Sequence, residues 1–272
     1  MSTKPGVGIV PPVGPAPVHS EKVNSGSASA NLAPADLAGA VSPAVNRGSL
    51  VLVPLGSTEQ HGPHLPLSTD SIIATRVAHA VAHSLSAAAA TAVVVAPTLH
   101  FGSSGEHQSF AGTVSIGTDA LRFVLVELVR SLSTWAGRVV FVNGHGGNVA
   151  ALVGAVVQLR SEGHDVAWLP CATALPAPGT DTHAGRVETS LLLHLAPELV
   201  HLDRAEAGVT LPLASIMAAL AVGGVAAVSP NGILGDPAGA DAAEGARLFA
   251  AIVATAHDLI DRATPTNRGR LE

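Results

Sequence analysis

LVLVPLGSTEQHGPHLPLSTD, residues 50–70, changes character halfway along, and that change decides the fold. Leu50-Val51-Leu52-Val53 is a continuous apolar run, as expected of a strand buried on both faces. Pro54 and Gly56 break it. Beyond them comes a loop carrying Glu59, His61, His64 and Asp70, all residue types that bind metal ions. Ligands of open α/β sheets sit in the crevice beyond the carboxyl ends of the strands. A buried strand that opens into acids and histidines therefore predicts half of a metal site: Glu59-x-His61, with Asp70 nine residues further on.

The same grammar recurs outward from this stretch. Apolar runs at 92–96, 139–142 and 166–169 predict three more strands, each ending in a Pro, Gly or polar loop. Apolar residues at helical spacing predict helices over 70–86, 118–136, onward from NGHGGN to about 161, from near Glu188, and over 241–263. Strand–helix alternation of this kind implies an α/β fold, a largely parallel sheet with helices on both faces. Residues 1–45, rich in Pro, Gly, Ser and Ala, read as a flexible tail; 46–265 read as one domain and 266–272 as a C-terminal tail. The Gly/Pro-rich stretch 200–240 reads as irregular.

Composition removes several functions. The net charge is −6 and no basic cluster occurs, which argues against a nucleic-acid or anionic-membrane surface. The only lysines are Lys4 and Lys22, in the tail, so a Schiff-base lysine and a Walker A loop are excluded from the folded part. The single cysteine, Cys171, cannot form an internal disulfide and points to a reducing cytoplasm. Its expected role is packing rather than nucleophilic attack. No apolar run is long enough to span a bilayer. No G-x-S-x-G follows a strand, which leaves metal-assisted chemistry.

Each predicted strand ends in a loop with polar chemistry, and right-handed crossovers bring those loops to one edge of the sheet. The second loop carries Glu106 and His107, the third His145 and Asn148, the fourth His183 and Glu188. A mixed set of carboxylates and imidazoles suits zinc, manganese or iron better than calcium or magnesium. His145, flanked by glycines, fits metal ligation or a structural role. Glu188, near a helix start, is either a ligand or a partner for the helix dipole. Glu106 and His107 read as a proton donor and a substrate contact, or as a polar loop. His64 reads as a packing or supporting residue in preference to a ligand.

The motifs GSTEQHGPHLPLSTD, GSSGEHQSFAGTVSI, NGHGGN and DTHAGRVETS together resemble the creatininase family of metal-dependent amidohydrolases, from about residue 50 to 198. The resemblance implies an αβα three-layer sandwich, a homo-oligomer and two divalent metal ions per subunit (zinc, iron or manganese). It implies that Glu59 and His61 bind different ions, that Asp70 bridges them and that His145 is a further ligand. In creatininase the next ligand is a glutamate two residues after that histidine. Here the position is Gly147, and Glu188 is the candidate replacement. His183 and Glu106 are the candidate proton donors. The loop 171–182 lacks tryptophan, which argues against creatinine as substrate. Within the family the chain most resembles a peptidase acting on a modified precursor peptide. Hydrolysis of a small formamide or cyclic amide is one alternative, and a non-catalytic metal-binding scaffold is another.

Overall fold

The structure, a computed structural model, describes residues 35–88, 92–172 and 181–272. Five parallel strands form one sheet in the order β1-β3-β2-β4-β5. They are β1 (Ala35–Asp36), β2 (Leu50–Leu55), β3 (Val93–Val95), β4 (Arg138–Asn143) and β5 (Val166–Pro170). The helices are α1 (Thr69–Ala88), α2 (Thr118–Leu132), α3 (Val149–Ser161), α4 (Arg186–Leu195), α5 (Leu213–Gly223) and α6 (Ala242–Arg262).

Pleating sorts the strand residues into two cores. Leu52, Val140, Val142 and Leu169 pack with α1, α4 and α6 on one face. Val51, Val53, Leu55, Phe141 and Trp168 pack with α2 and α3 on the other. This is the expected αβα sandwich, and it explains why β2 and β4 read as unbroken apolar runs: both faces are covered. No helix among the described residues is long and apolar enough to cross a membrane.

The chain leaves β2 toward β3 and later leaves β4 toward β5. The crevice where the winding reverses therefore lies beyond the adjacent carboxyl ends of β2 and β4. Gly56 lets the loop after β2 close onto the start of α1, since a Cβ there would stand 2.5 Å from the Ser71 Cα.

Three boundaries differ from the sequence reading. Ala35–Asp36 pairs with β3, so the end of the expected 1–45 tail belongs to the sheet, while 1–34 lie outside the described residues. The expected C-terminal tail, 266–272, packs along β5: Trp168 N–H donates to Gly269 O and Leu271 N–H to Trp168 O, and Leu271 is buried. The stretch expected to be irregular, 200–240, contains α5.

Candidate metal centre

The loop after β2 and the start of α1 place Glu59, His61 and Asp70 in a buried cluster. The 3-10 turn Gly105–His107 brings Glu106 and His107, the end of β4 brings His145, and the loop before α4 brings His183 and Glu188. Every residue singled out for the site thus converges on the crevice, except His64. That imidazole is buried against Thr189, with Nε2 2.9 Å from the Thr189 hydroxyl.

Asp70 stands between two imidazoles. Its Oδ1 lies 3.2 Å from His61 Nε2 and its Oδ2 lies 3.3 Å from His145 Nδ1. The far nitrogen of each ring faces a backbone carbonyl: His61 Nδ1 is 3.1 Å from Glu59 O, and His145 Nε2 is 3.1 Å from Ser103 O. A ring that donates its distal N–H to a carbonyl presents its other nitrogen to a cation, the usual arrangement of metal-bound histidine. Glu188 Oε2 is 3.9 Å from His61 Nε2 on the second side and accepts from Ala184 N–H. Glu59 is fully buried, and neither oxygen has a well-oriented donor among the described residues. His145 Nε2 approaches to 3.2 Å, His107 Nε2 to 3.5 Å and His183 Nδ1 to 3.8 Å without lining up as hydrogen bonds. An orphaned buried carboxylate is costly unless a cation completes it, so the residues present fit a metal centre.

Charge behaves accordingly. Burial works against a charged His61, but the carboxylates of Asp70, Glu188 and Glu59 outweigh it and raise the imidazole to about 10. Burial likewise opposes charge on His145, and Asp70 and Glu59 again prevail and raise it well above the usual range. Against its own burial, Asp70 is held well below the usual carboxylate range, first by His61 and then by His145. Without a metal, protons on two imidazoles thus balance the carboxylates. His107 and His183 go the other way, to about 3 each, because burial dominates and neighbouring imidazoles add to it. Glu188 rises to about 7 through burial. Burial also pushes the Cys171 thiol far up, as expected of a packing residue.

Three residues tie the site together. Gln60 sits between two candidate ligands and turns the opposite way, its amide donating to His107 Nδ1 at 2.8 Å and to Gly232 O at 2.9 Å. His183 Nε2 lies 2.9 Å from Gln60 O, which leaves its Nδ1 facing Glu59. Asn148 joins three loops, accepting from Ser103 N–H and donating to Gly56 O and Asn143 Oδ1. His107 joins Glu59 and His183 in one group of possible ligands.

Gly147 leaves no room for a side chain: a Cβ there would collide with Ser103 O and His145 Nε2 and stand 2.6 Å from Glu106 Oε1. Gly147→Glu is therefore expected to displace His145 and to lower metal content and activity by at least roughly tenfold. Metal analysis of the purified variant checks this. Unchanged metal content would show that a ligand at this position can be accommodated.

A parallel sheet whose strand ends gather buried carboxylates and imidazoles at the winding reversal is a candidate metal centre, and the family whose model matches the chain is one of hydrolases. The creatininase family (creatinine amidohydrolase) matches residues 38–260. The chain belongs to that family. It is 55% identical over 224 residues, 81% of this chain and 88% of the relative, to the mycofactocin precursor peptide peptidase of Mycobacterium ulcerans (strain Agy99). A solved manganese creatininase superposes with a TM-score of 0.64 at 27% identity, covering 78% of this chain and 90% of that one. A creatininase mutant of Zn–Zn type gives 0.63 at 26% identity, covering 78% and 89%.

Proposed function

We propose that the chain is a two-metal peptidase that releases the C-terminal Val-Tyr dipeptide from the modified mycofactocin precursor peptide. The observation that carries the metal reading is Asp70, with one oxygen beside His61 Nε2 and the other beside His145 Nδ1. On this reading Glu59, His61, Asp70, His145 and Glu188 would hold the two divalent ions. Zinc, iron and manganese suit these ligands, and the solved relatives in zinc and manganese forms support the choice. The peptide substrate is supported by the relative in Mycobacterium ulcerans. A homo-oligomer is supported by the family likeness, and a cytoplasmic location by the single cysteine.

Bound ions of this kind supply hydroxide near neutral pH and polarise the amide carbonyl. The chain's own residues do the rest. Glu106, at the edge of the cavity with Oε1 3.6 Å from His145 Nε2, is placed to protonate the leaving amine. His183 Nε2 lies 2.9 Å from Gln60 O, and this contact suits an orienting group better than a proton donor. Gln60 holds His107 and His183 in register.

The test is a precursor peptide ending in Val-Tyr, incubated with purified protein and read by mass spectrometry. Release of the dipeptide is expected. A chelator is expected to stop release and to lower the melting temperature, because the ions stabilise only the folded chain. Adding back zinc, manganese or iron restores both. Turnover of small cyclic amides with no dipeptide release would overturn the peptide assignment. Metal binding without any hydrolysis would point to a scaffold.

A further inference from the structure

The carboxylates and imidazoles form only one side of a cavity of about 480 Å³. The other side is apolar, built from Leu213, Met217, Leu220 and Ala221 of α5 together with Val225 and Leu234. The four α5 residues are spaced by four, three and one, which puts them on one helical face. Ile216 anchors the helix elsewhere, buried with Val225 and Leu234. Leu213 stays 39% exposed and Met217 50% exposed, an apolar surface that the described residues leave open.

The end of α5 is packed on the catalytic turn. Gly224 has φ 66°, and a Cβ there would stand 2.6 Å from Glu106 O. The apolar wall and the proposed proton donor are therefore held together. No lysine or arginine is found among the described residues lining the cavity, whereas Glu59, Asp70, Glu106 and Glu188 all line it. An acidic side chain would find no partner there, and an apolar one would find a helix face.

We propose that this face of α5 is a substrate subsite that takes an uncharged, apolar side chain flanking the scissile amide. The inference rests on the hydrolase reading above and adds which part of the chain selects the substrate. Met217, unbranched and polarisable, shapes itself to that side chain, and Leu213 and Leu220 flank it.

Two peptides decide it, identical except that the residue after the scissile bond is Val in one and Asp in the other. The holoenzyme is expected to favour the Val peptide by at least roughly tenfold in kcat/KM, the scale on which apolar pockets discriminate. Met217→Asp is expected to raise KM for the Val peptide by roughly tenfold or more, with metal content and melting temperature unchanged, while Met217→Leu stays within about threefold. Equal cleavage of both peptides, or an unchanged KM in both Met217→Asp and Leu213→Asp, overturns the subsite and leaves the hydrolase reading standing. If the holoenzyme cleaves neither peptide, calorimetric binding makes the same comparison. Tighter binding of the Val peptide that Met217→Asp weakens upholds the subsite while the hydrolase reading falls, and indifferent binding overturns both.

Discussion

Asp70→Ala is expected to reduce hydrolysis to background and to strip the protein of most of its bound metal. Asp70 places separate oxygens beside two different imidazoles, His61 and His145, at 3.2 and 3.3 Å. Ser57 fixes its orientation, its hydroxyl donating to Asp70 Oδ2 at 2.6 Å. Loss of a single partner from a buried ionic cluster costs about 3–5 kcal/mol when a charge is left stranded. Here His61 and His145 can shed their protons instead, so the chain is expected to fold. Asp70→Asn keeps the shape and separates the two effects: a folded chain that melts close to chelated wild type, with no metal and no turnover.

The pH dependence of the chelated protein reports on the same carboxylate. His61 is raised from 6.5 to about 10 despite its burial, chiefly by Asp70, so its ion pairing contributes stability that is complete below about pH 6.5. That stability is lost as pH rises toward 10, because the folded state gives up its proton last. Denaturation of chelated wild type is expected to show this decline, and chelated Asp70→Asn a much weaker one. An Asp70 variant with normal metal content and full turnover would refute the bridging role.

The second large effect changes sign with the metal. Glu59 is wholly buried and its oxygens have no well-oriented donor among the described residues. Glu59→Gln keeps the volume and removes the charge. In the chelated protein this replaces a buried carboxylate that has no well-oriented donor among the described residues, an unmet hydrogen-bonding demand worth about 1–3 kcal/mol. In a chain of this size that is a rise in melting temperature of roughly 2–10 °C. In the metal-loaded protein the same substitution removes a ligand, so metal content, stability and hydrolysis all fall. Scanning calorimetry with and without chelator reads the crossing. A variant that melts lower in both conditions would show that Glu59 is held by the chain itself rather than by an ion.

Strands β2 to β5 were legible because covering both faces of a sheet demands uninterrupted Val and Leu, and Pro or Gly marks where each run stops. Glu59, His61, Asp70, His145 and Glu188 were legible for a related reason: they follow those stops, and the winding of the chain puts all such loops on one edge. α5 was not. LASIMAALAVG is apolar on every side, so it shows no helical period, and Pro212 and Gly224 framed it as loop. Gln60 was missed because its partners His107 and His183 lie 47 and 123 residues away, and nothing local marks an amide as the holder of two imidazoles. Residues 173–180, most of the loop whose lack of tryptophan bore on the substrate, lie outside the described residues.

The C-terminal segment along β5 matters for handling the protein. Leu271 N–H and Gly269 O occupy hydrogen-bonding positions on Trp168, and the Trp168 indole donates to Arg268 O. Trimming these last residues would bare a row of amides and carbonyls on an apolar strand, the kind of surface on which neighbouring molecules zip together. A shortened protein is therefore expected to be lost to precipitation while its candidate metal ligands remain intact.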